Sequence, residues 1–267
     1  MTTRVLNSDY PVTAEQIATY RRDGFIALPD VVTGDALVQL REAVENAVRA
    51  ETPANDKRTP SEKSSYEQLF IQKVNLWRRH PAVREFVVCR RFGNLAARLS
   101  GQPARIWHDQ ALFKEAREGV RTPWHQDAHY WPHQQKDHQI TIWIALRDVT
   151  AQNGCMSFIP GSHTVKDLPP INLSAPQDVF AMAPQLKASK PVTCALTAGS
   201  CTFHHGLTFH FAGPNRTDQM REAFAIIYIP DGTTLSGHPH VVTHPLNLKV
   251  GDKLEGDLFP SVSDKTG

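Results

Sequence analysis

Three side chains from distant parts of the chain could assemble one metal site. His125 and Asp127 stand two apart in Trp124-His125-Gln126-Asp127-Ala128-His129-Tyr130-Trp131. In a strand, residues i and i+2 face the same way, so an imidazole and a carboxylate would form two neighbouring corners. The third corner must come from elsewhere, and the candidate is His210 in Thr208-Phe209-His210-Phe211-Ala212-Gly213-Pro214-Asn215. Two histidines and one carboxylate, with open positions opposite, are the ligand set of a non-haem Fe(II) oxygenase. In a chain with 13 histidines a lone His-x-Asp also arises by chance, and a histidine bonded to a nearby aspartate is the bland alternative. Arg221 shifts the balance. It leads into the apolar stretch Ala223 to Ile229, and a guanidinium at the start of a buried strand is costly unless it meets an anion. A dicarboxylate co-substrate, held by a two-pronged contact, would supply one.

The surrounding elements are those of a barrel with a helical preface. Thr13-Ala14-Glu15-Gln16 reads as a capping box, with Gly24 as the helix stop. A short strand follows over Phe25 to Pro29. A second helix is predicted from Gly34 to Ala50, where Ala36, Leu37, Leu40, Ala43, Val44 and Ala47 keep the helical period. Glu51 to Ser65 is polar and reads as an exposed loop, and short helices are expected over Ala82 to Val88 and Arg91 to Ser100. From Ala104 onward, strands dominate: Ala104 to Lys114, His138 to Val149, Cys155 to Pro160, Val192 to Leu196, Ser200 to His204, Leu207 to Phe211 and Ala223 to Ile229. Leu168 to Lys190 carries four prolines and no clear period, so it reads as a long insertion of the kind that forms lids. The fold class predicted is mainly β with helices: a double-stranded β-helix (jelly roll, cupin-like) with N-terminal helices packed on the larger sheet. The chain reads as a single domain over 1–267, divided into a mostly helical 1–100, a jelly-roll core 101–235 and a C-terminal segment 236–267.

Composition narrows the partners. Net charge is +2, from 29 basic and 27 acidic residues, which gives no argument for a nucleic-acid or membrane surface. No apolar run approaches bilayer length. Cys89, Cys155, Cys194 and Cys201 form no C-x-x-C pair, and the N-terminus does not read as a signal peptide. The thiols are therefore expected to be reduced and the protein cytoplasmic. A small-molecule substrate is the expected partner; oligomeric state is not readable.

Five features together resemble the phytanoyl-CoA dioxygenase family of Fe(II)/2-oxoglutarate oxygenases over roughly Ile17 to Pro260. They are His125-Gln126-Asp127 with Tyr130-Trp131, Trp143-Ile144-Ala145-Leu146 running into Asn153-Gly154-Cys155, Pro160-Gly161-Ser162-His163, His210 followed by Gly213-Pro214-Asn215 and Arg221, and Gly251-Asp252 to Phe259-Pro260. The resemblance implies that His125, Asp127 and His210 hold Fe(II). It implies that Arg221 pairs with the distal carboxylate of 2-oxoglutarate, and that Trp143, Thr141 and Lys73 lie at the co-substrate. O2 would be the second co-substrate, with succinate and CO2 released and a substrate C–H bond hydroxylated. One departure is visible. The family usually places Ser two residues after the distal histidine, and here that position is Ala212. Related halogenases have a small residue where this chain has Asp127, so oxygen insertion or another oxidation is expected, not halogenation.

Other residues leave choices open. His129, Tyr130, Trp131 and His133 either line the substrate mouth or pack as ordinary aromatics. His204 and His205 suit a supporting role beside the ligands. The period does not decide whether Gln110 and Lys114 face core or pocket. His238, His240 and His244 read as a solvated loop. Since fold does not fix substrate, a free small molecule is expected over an acyl-CoA, for want of an obvious basic cluster. Two alternatives stand beside hydroxylation: desaturation, ring formation or epimerisation of a natural product by the same chemistry, and a non-redox cupin-like metal protein.

Overall fold

The structure is a computed structural model that describes residues 6–52, 70–117 and 119–264. Most of the expected polar loop after Glu51 lies outside the described residues. Helix α1 (Ala14–Asp23) begins where the side chain of Thr13 accepts from the Gln16 amide at 3.1 Å and Gln16 accepts in return from the Thr13 amide at 2.8 Å. It stops at Gly24, whose φ of 80° suits glycine. Strand β1 (Phe25–Leu28) and helix α2 (Gly34–Ala50) follow. The stripe Ala36, Leu40, Val44, Ala47 and Val48 buries one face of α2. Next come β2 (Ile71–Val74), α3 (Pro81–Val87), which Pro81 opens, and α4 (Arg90–Ser100).

The strands of the barrel are β3 (Ala104–Lys114), β4 (Thr122–His125), β5 (Ile140–Ala145) and β6 (Met156–Phe158). After a short helix α5 (Val179–Met182) come β7 (Val192–Cys194), β8 (Cys201–His205), β9 (His210–Ala212) and β10 (Arg221–Pro230). They form a six-stranded sheet in the order β1-β8-β5-β10-β3-β2 and a four-stranded sheet in the order β4-β9-β6-β7, with antiparallel pairing throughout. This is the two-sheet architecture expected from the alternating segments.

Period two divides the large sheet. Ile140, Ile142, Ile144, Phe203, Phe224, Ile226 and Tyr228 join Leu40, Val44, Phe92, Leu95 and Leu99 of the helices in one core. The residues between them on β3, β5, β8 and β10 turn toward the small sheet. Burying each such large side chain stabilises by ~1.5–3 kcal/mol, so the helices are needed to cover that outer face. Gly199, at φ 85°, opens the turn into β8; a Cβ there would meet the Val32 carbonyl.

Several boundaries differ from the sequence reading. The long segment His138 to Val149 is a strand only over β5, because His138 takes a positive φ of 62° and the chain turns after Ala145. β2 has no counterpart among the strands expected from the sequence. The insertion is not wholly irregular, since Asp178 caps α5 by accepting from the Phe180 amide at 2.9 Å.

Candidate metal centre

The expectation that one strand carries both His125 and Asp127 is corrected. β4 ends at His125, and Asp127 begins a 3-10 turn over Asp127–His129. The two still meet, because the turn folds the carboxylate back: His125 Nε2 lies 3.4 Å from Asp127 Oδ1. His210 opens β9 directly opposite His125 in the strand register, and its Nε2 lies 3.6 Å from the same Oδ1. One ligand atom from each of the three falls within 4.8 Å of the others, the one such group among the described residues.

Backbone carbonyls set both imidazoles. His125 Nδ1 donates to the Pro123 carbonyl at 2.7 Å, and His210 Nδ1 donates to the Thr208 carbonyl at 3.0 Å. Each ring therefore turns Nε2 toward the shared centre, the nitrogen that would offer a lone pair to a metal. Burial, with the neighbouring His125, holds His210 well below the ordinary histidine range. Burial alone would push the Asp127 carboxyl up, but the facing His210 and bonds from His125 and His204 outweigh it and hold it well below the usual carboxylate range. An imidazole that sheds its proton readily, as His210 does, and a carboxylate that stays ionised, as Asp127 does, are what a divalent cation requires of its ligands. The donor set is thus suited to iron in chemistry as well as in spacing. His204, on β8 of the other sheet, approaches Asp127 Oδ2 at 3.5 Å and braces the carboxylate from behind, whereas His205 points to the opposite face.

These groups open into a cavity of about 540 Å³ between the sheets, within the range for small-molecule sites. Arg221 lies in its wall, 3% exposed. Its Nη1 donates to the Leu112 carbonyl at 2.9 Å, its guanidinium sits 5.2 Å from the Trp143 ring centre, and its Nε has no partner. Burial pulls its pKa down to about 10. Among the described residues no carboxylate pairs with it, so a buried cation faces the cavity awaiting an anion. Trp143 and Thr141 share this wall, the Thr141 hydroxyl being buried and unpartnered.

Lys73 lies elsewhere. Gln72 and Val74 of β2 face the cavity, and Lys73 between them points away, its Nζ donating to the Glu51 carbonyl at 2.9 Å. Gln110 lines the cavity and accepts from Gln72 at 2.5 Å. Lys114 is fully buried and donates to the Val120 and Gly213 carbonyls at 3.0 and 2.9 Å, tying β3 to the small sheet. Ala212 faces the cavity, and Thr122 pairs with it across β4 and β9, so a hydroxyl stands beside the position that lacks one. Tyr130 and Trp131 line the mouth, but His129 and His133 do not: His129 bonds Gln126 and Lys136, and His133 bonds Gln139.

Two histidines of the wall do not stand out in the sequence. His108 was overlooked on β3, although period two from Gln110 would have found it. His240 was read as part of a solvated loop. It lines the cavity because its ring rests on Trp107 and His108, with centroid separations of 5.2 and 5.9 Å.

The profile of the phytanoyl-CoA dioxygenase (PhyH) family matches residues 20–223. The peroxisomal phytanoyl-CoA dioxygenase of Homo sapiens is 25% identical over 236 residues, which cover 80% of this chain and 67% of that protein. Among solved structures, the non-haem alpha-ketoglutarate-dependent carbocyclase SnoK from nogalamycin biosynthesis is 28% identical, with a TM-score of 0.81 over 94% of this chain and 97% of that one. The epimerase SnoN in complex with Fe3+, alpha ketoglutarate and nogalamycin RO is 30% identical, with a TM-score of 0.77 over 93% of this chain and 97% of that one.

Proposed function

The chain belongs to the phytanoyl-CoA dioxygenase family of Fe(II)- and 2-oxoglutarate-dependent oxygenases, and we propose that it hydroxylates a C–H bond of a free small organic molecule. The observation that carries this reading is one cavity holding both the His125, Asp127 and His210 donors and the unpaired Arg221 cation. The three donors hold Fe(II), and Arg221 takes the distal carboxylate of 2-oxoglutarate, with Trp143 and Thr141 beside it. Lys73 acts indirectly, by tying β2 to the end of α2. When bound there, iron with 2-oxoglutarate and O2 would supply the oxidising power, one oxygen atom going to the substrate and the other into succinate as CO2 leaves.

The chain's own groups prepare that chemistry. The Pro123 and Thr208 carbonyls keep each imidazole in the tautomer that offers Nε2. Asp127 turns Oδ1 toward the two ligand imidazoles, where it would meet the metal, and Oδ2 toward His204. Asp127 also fills the position that a halide would need, which supports oxygen insertion over halogenation. The neighbours SnoK and SnoN are named for ring formation and epimerisation, and these stay the second reading, since the same donor set serves them. Residues 1–100, 101–235 and 236–267 act as one unit, the last segment contributing His240 and Val241 to the wall. Among the described residues no helix is long and apolar enough to cross a membrane. The four buried, unpaired cysteines suit a reducing compartment, which supports a cytoplasmic setting.

Calorimetric titration with Fe(II) under argon tests the donor assignment. Wild type is expected to take up one equivalent, and His125→Ala, Asp127→Ala and His210→Ala each to lose most of that affinity while keeping the wild-type circular dichroism. Stoichiometric tight binding in all three variants would overturn it.

A further inference from the structure

We propose that His108 and His240 form a donor–acceptor clamp for a hydroxyl group, so that the substrate is a neutral alcohol or phenol on an apolar frame. This rests on the oxygenase reading and names the substrate class of that site. The two rings line the same cavity, with centroids 5.9 Å apart and planes inclined by 29°. Their tautomers are opposite and are set by the backbone. His108 Nδ1 lies 3.2 Å from the Asp109 carbonyl and must donate to it, so Nε2 keeps a lone pair. His240 Nδ1 accepts from the Val242 amide at 3.2 Å, so its proton resides on Nε2. Among the described residues neither Nε2 has a hydrogen-bond partner. The cavity wall therefore presents one acceptor and one donor side by side.

The chemistry selects its ligand. A hydroxyl gives its proton to His108 and receives one from His240, and two hydrogen bonds of ~2.8 Å through one oxygen can span rings at this separation. A carboxylate would meet the His108 lone pair and be repelled. An ammonium would meet the His240 N–H and be repelled likewise. Neither ring escapes this by taking up a proton, since burial holds His108 and His240 far below neutrality, at about 3 and about 4. Aromatic rings flank the clamp, with Trp107 5.2 Å from His240 and Trp131 6.5 Å from His108 between ring centres, and Ile171 and Val241 share the cavity with the polar Gln72 and Gln110.

The test uses the whole chain loaded with Fe(II) and 2-oxoglutarate without O2, and three probes on one ring: 2-naphthol, 2-methoxynaphthalene and 2-naphthoate. Calorimetry is expected to show the naphthol binding about tenfold or more tighter than the ether or the carboxylate, as one or two well-placed hydrogen bonds imply. His240→Phe and His108→Phe should abolish that preference while the 2-oxoglutarate affinity stays at the wild-type value. His240→Gln, which restores an N–H, should recover part of it. Nitrogen-15 spectra of the unliganded protein should show His108 protonated on Nδ1 and His240 on Nε2 at neutral pH. Equal binding of the three probes, no binding of the naphthol, a preference that survives both Phe variants, or the opposite tautomers would each overturn the clamp. Loss of iron and 2-oxoglutarate binding in wild type would instead bring down the oxygenase reading itself.

Discussion

Replacing Arg221 by Leu should separate stability from co-substrate binding. Burial pulls the guanidinium pKa from 12.5 down to about 10, which at ~1.4 kcal/mol per pK step means that holding the charge in place costs ~3 kcal/mol. One hydrogen bond, to the Leu112 carbonyl, and the Trp143 face offset part of this. Arg221→Leu should therefore leave the co-substrate-free protein as stable as wild type or more so, because an uncompensated buried charge is removed. It should also raise the Kd for 2-oxoglutarate by two to three orders of magnitude, since removing one partner of a buried charge pair costs ~2–5 kcal/mol. Thermal melts with and without saturating 2-oxoglutarate read both effects. Wild type should gain a ligand-dependent rise in Tm that the variant lacks. A variant that melts far below wild type without ligand, yet keeps the 2-oxoglutarate shift, would refute the reasoning and make Arg221 a structural residue.

Three further outcomes are expected. Ala212→Ser should tighten 2-oxoglutarate binding and Thr122→Val weaken it, each about fivefold for one hydrogen bond; no change in either, by titration, would remove the hydroxyl account of that cavity end. His204→Phe should keep the fold and lower iron affinity about 10- to 100-fold, as loss of a group bracing a ligand does; unchanged affinity would mean that Asp127 needs no support at Oδ2. Asp109 is buried and accepts from the Leu76 and Trp77 amides, and burial raises its pKa from 3.8 to about 7. The folded state then binds the proton more tightly than the unfolded chain, so stability is fullest at low pH and declines as pH rises through about 7. The slope reaches up to ~1.4 kcal/mol per pH step. Denaturant melts of Asp109→Asn should lose this slope; a wild-type slope retained in the variant would assign it to another group.

Local signals carried much of the fold. The capping box at Thr13 and the stop at Gly24 rest on residue types that satisfy backbone groups within one turn, and both appear as written. The strands of the large sheet were legible because their outer faces must be apolar under the helices. β2 was not, since Ile71, Gln72, Lys73 and Val74 are half-buried at a sheet edge and show no contrast between faces. The triad was found for a partly mistaken reason. Two-residue spacing suggested a shared strand face, whereas a 3-10 turn brings Asp127 back to His125. His240 was unreadable because its place depends on a C-terminal loop folding onto Trp107, a contact that no local pattern encodes. Lys73 came from resemblance alone, and strand alternation points it away from the cavity.

The most direct measurement is anaerobic titration with Fe(II) and then 2-oxoglutarate, watching for the weak visible charge-transfer band of a keto acid chelated to iron. Wild type should develop the band at stoichiometric iron, and His210→Ala should not. Arg221→Leu should reach it only at far higher 2-oxoglutarate. Absence of the band in wild type at saturating iron and co-substrate, or its persistence in His210→Ala, would contradict the assignment of His125, Asp127 and His210 as the iron ligands.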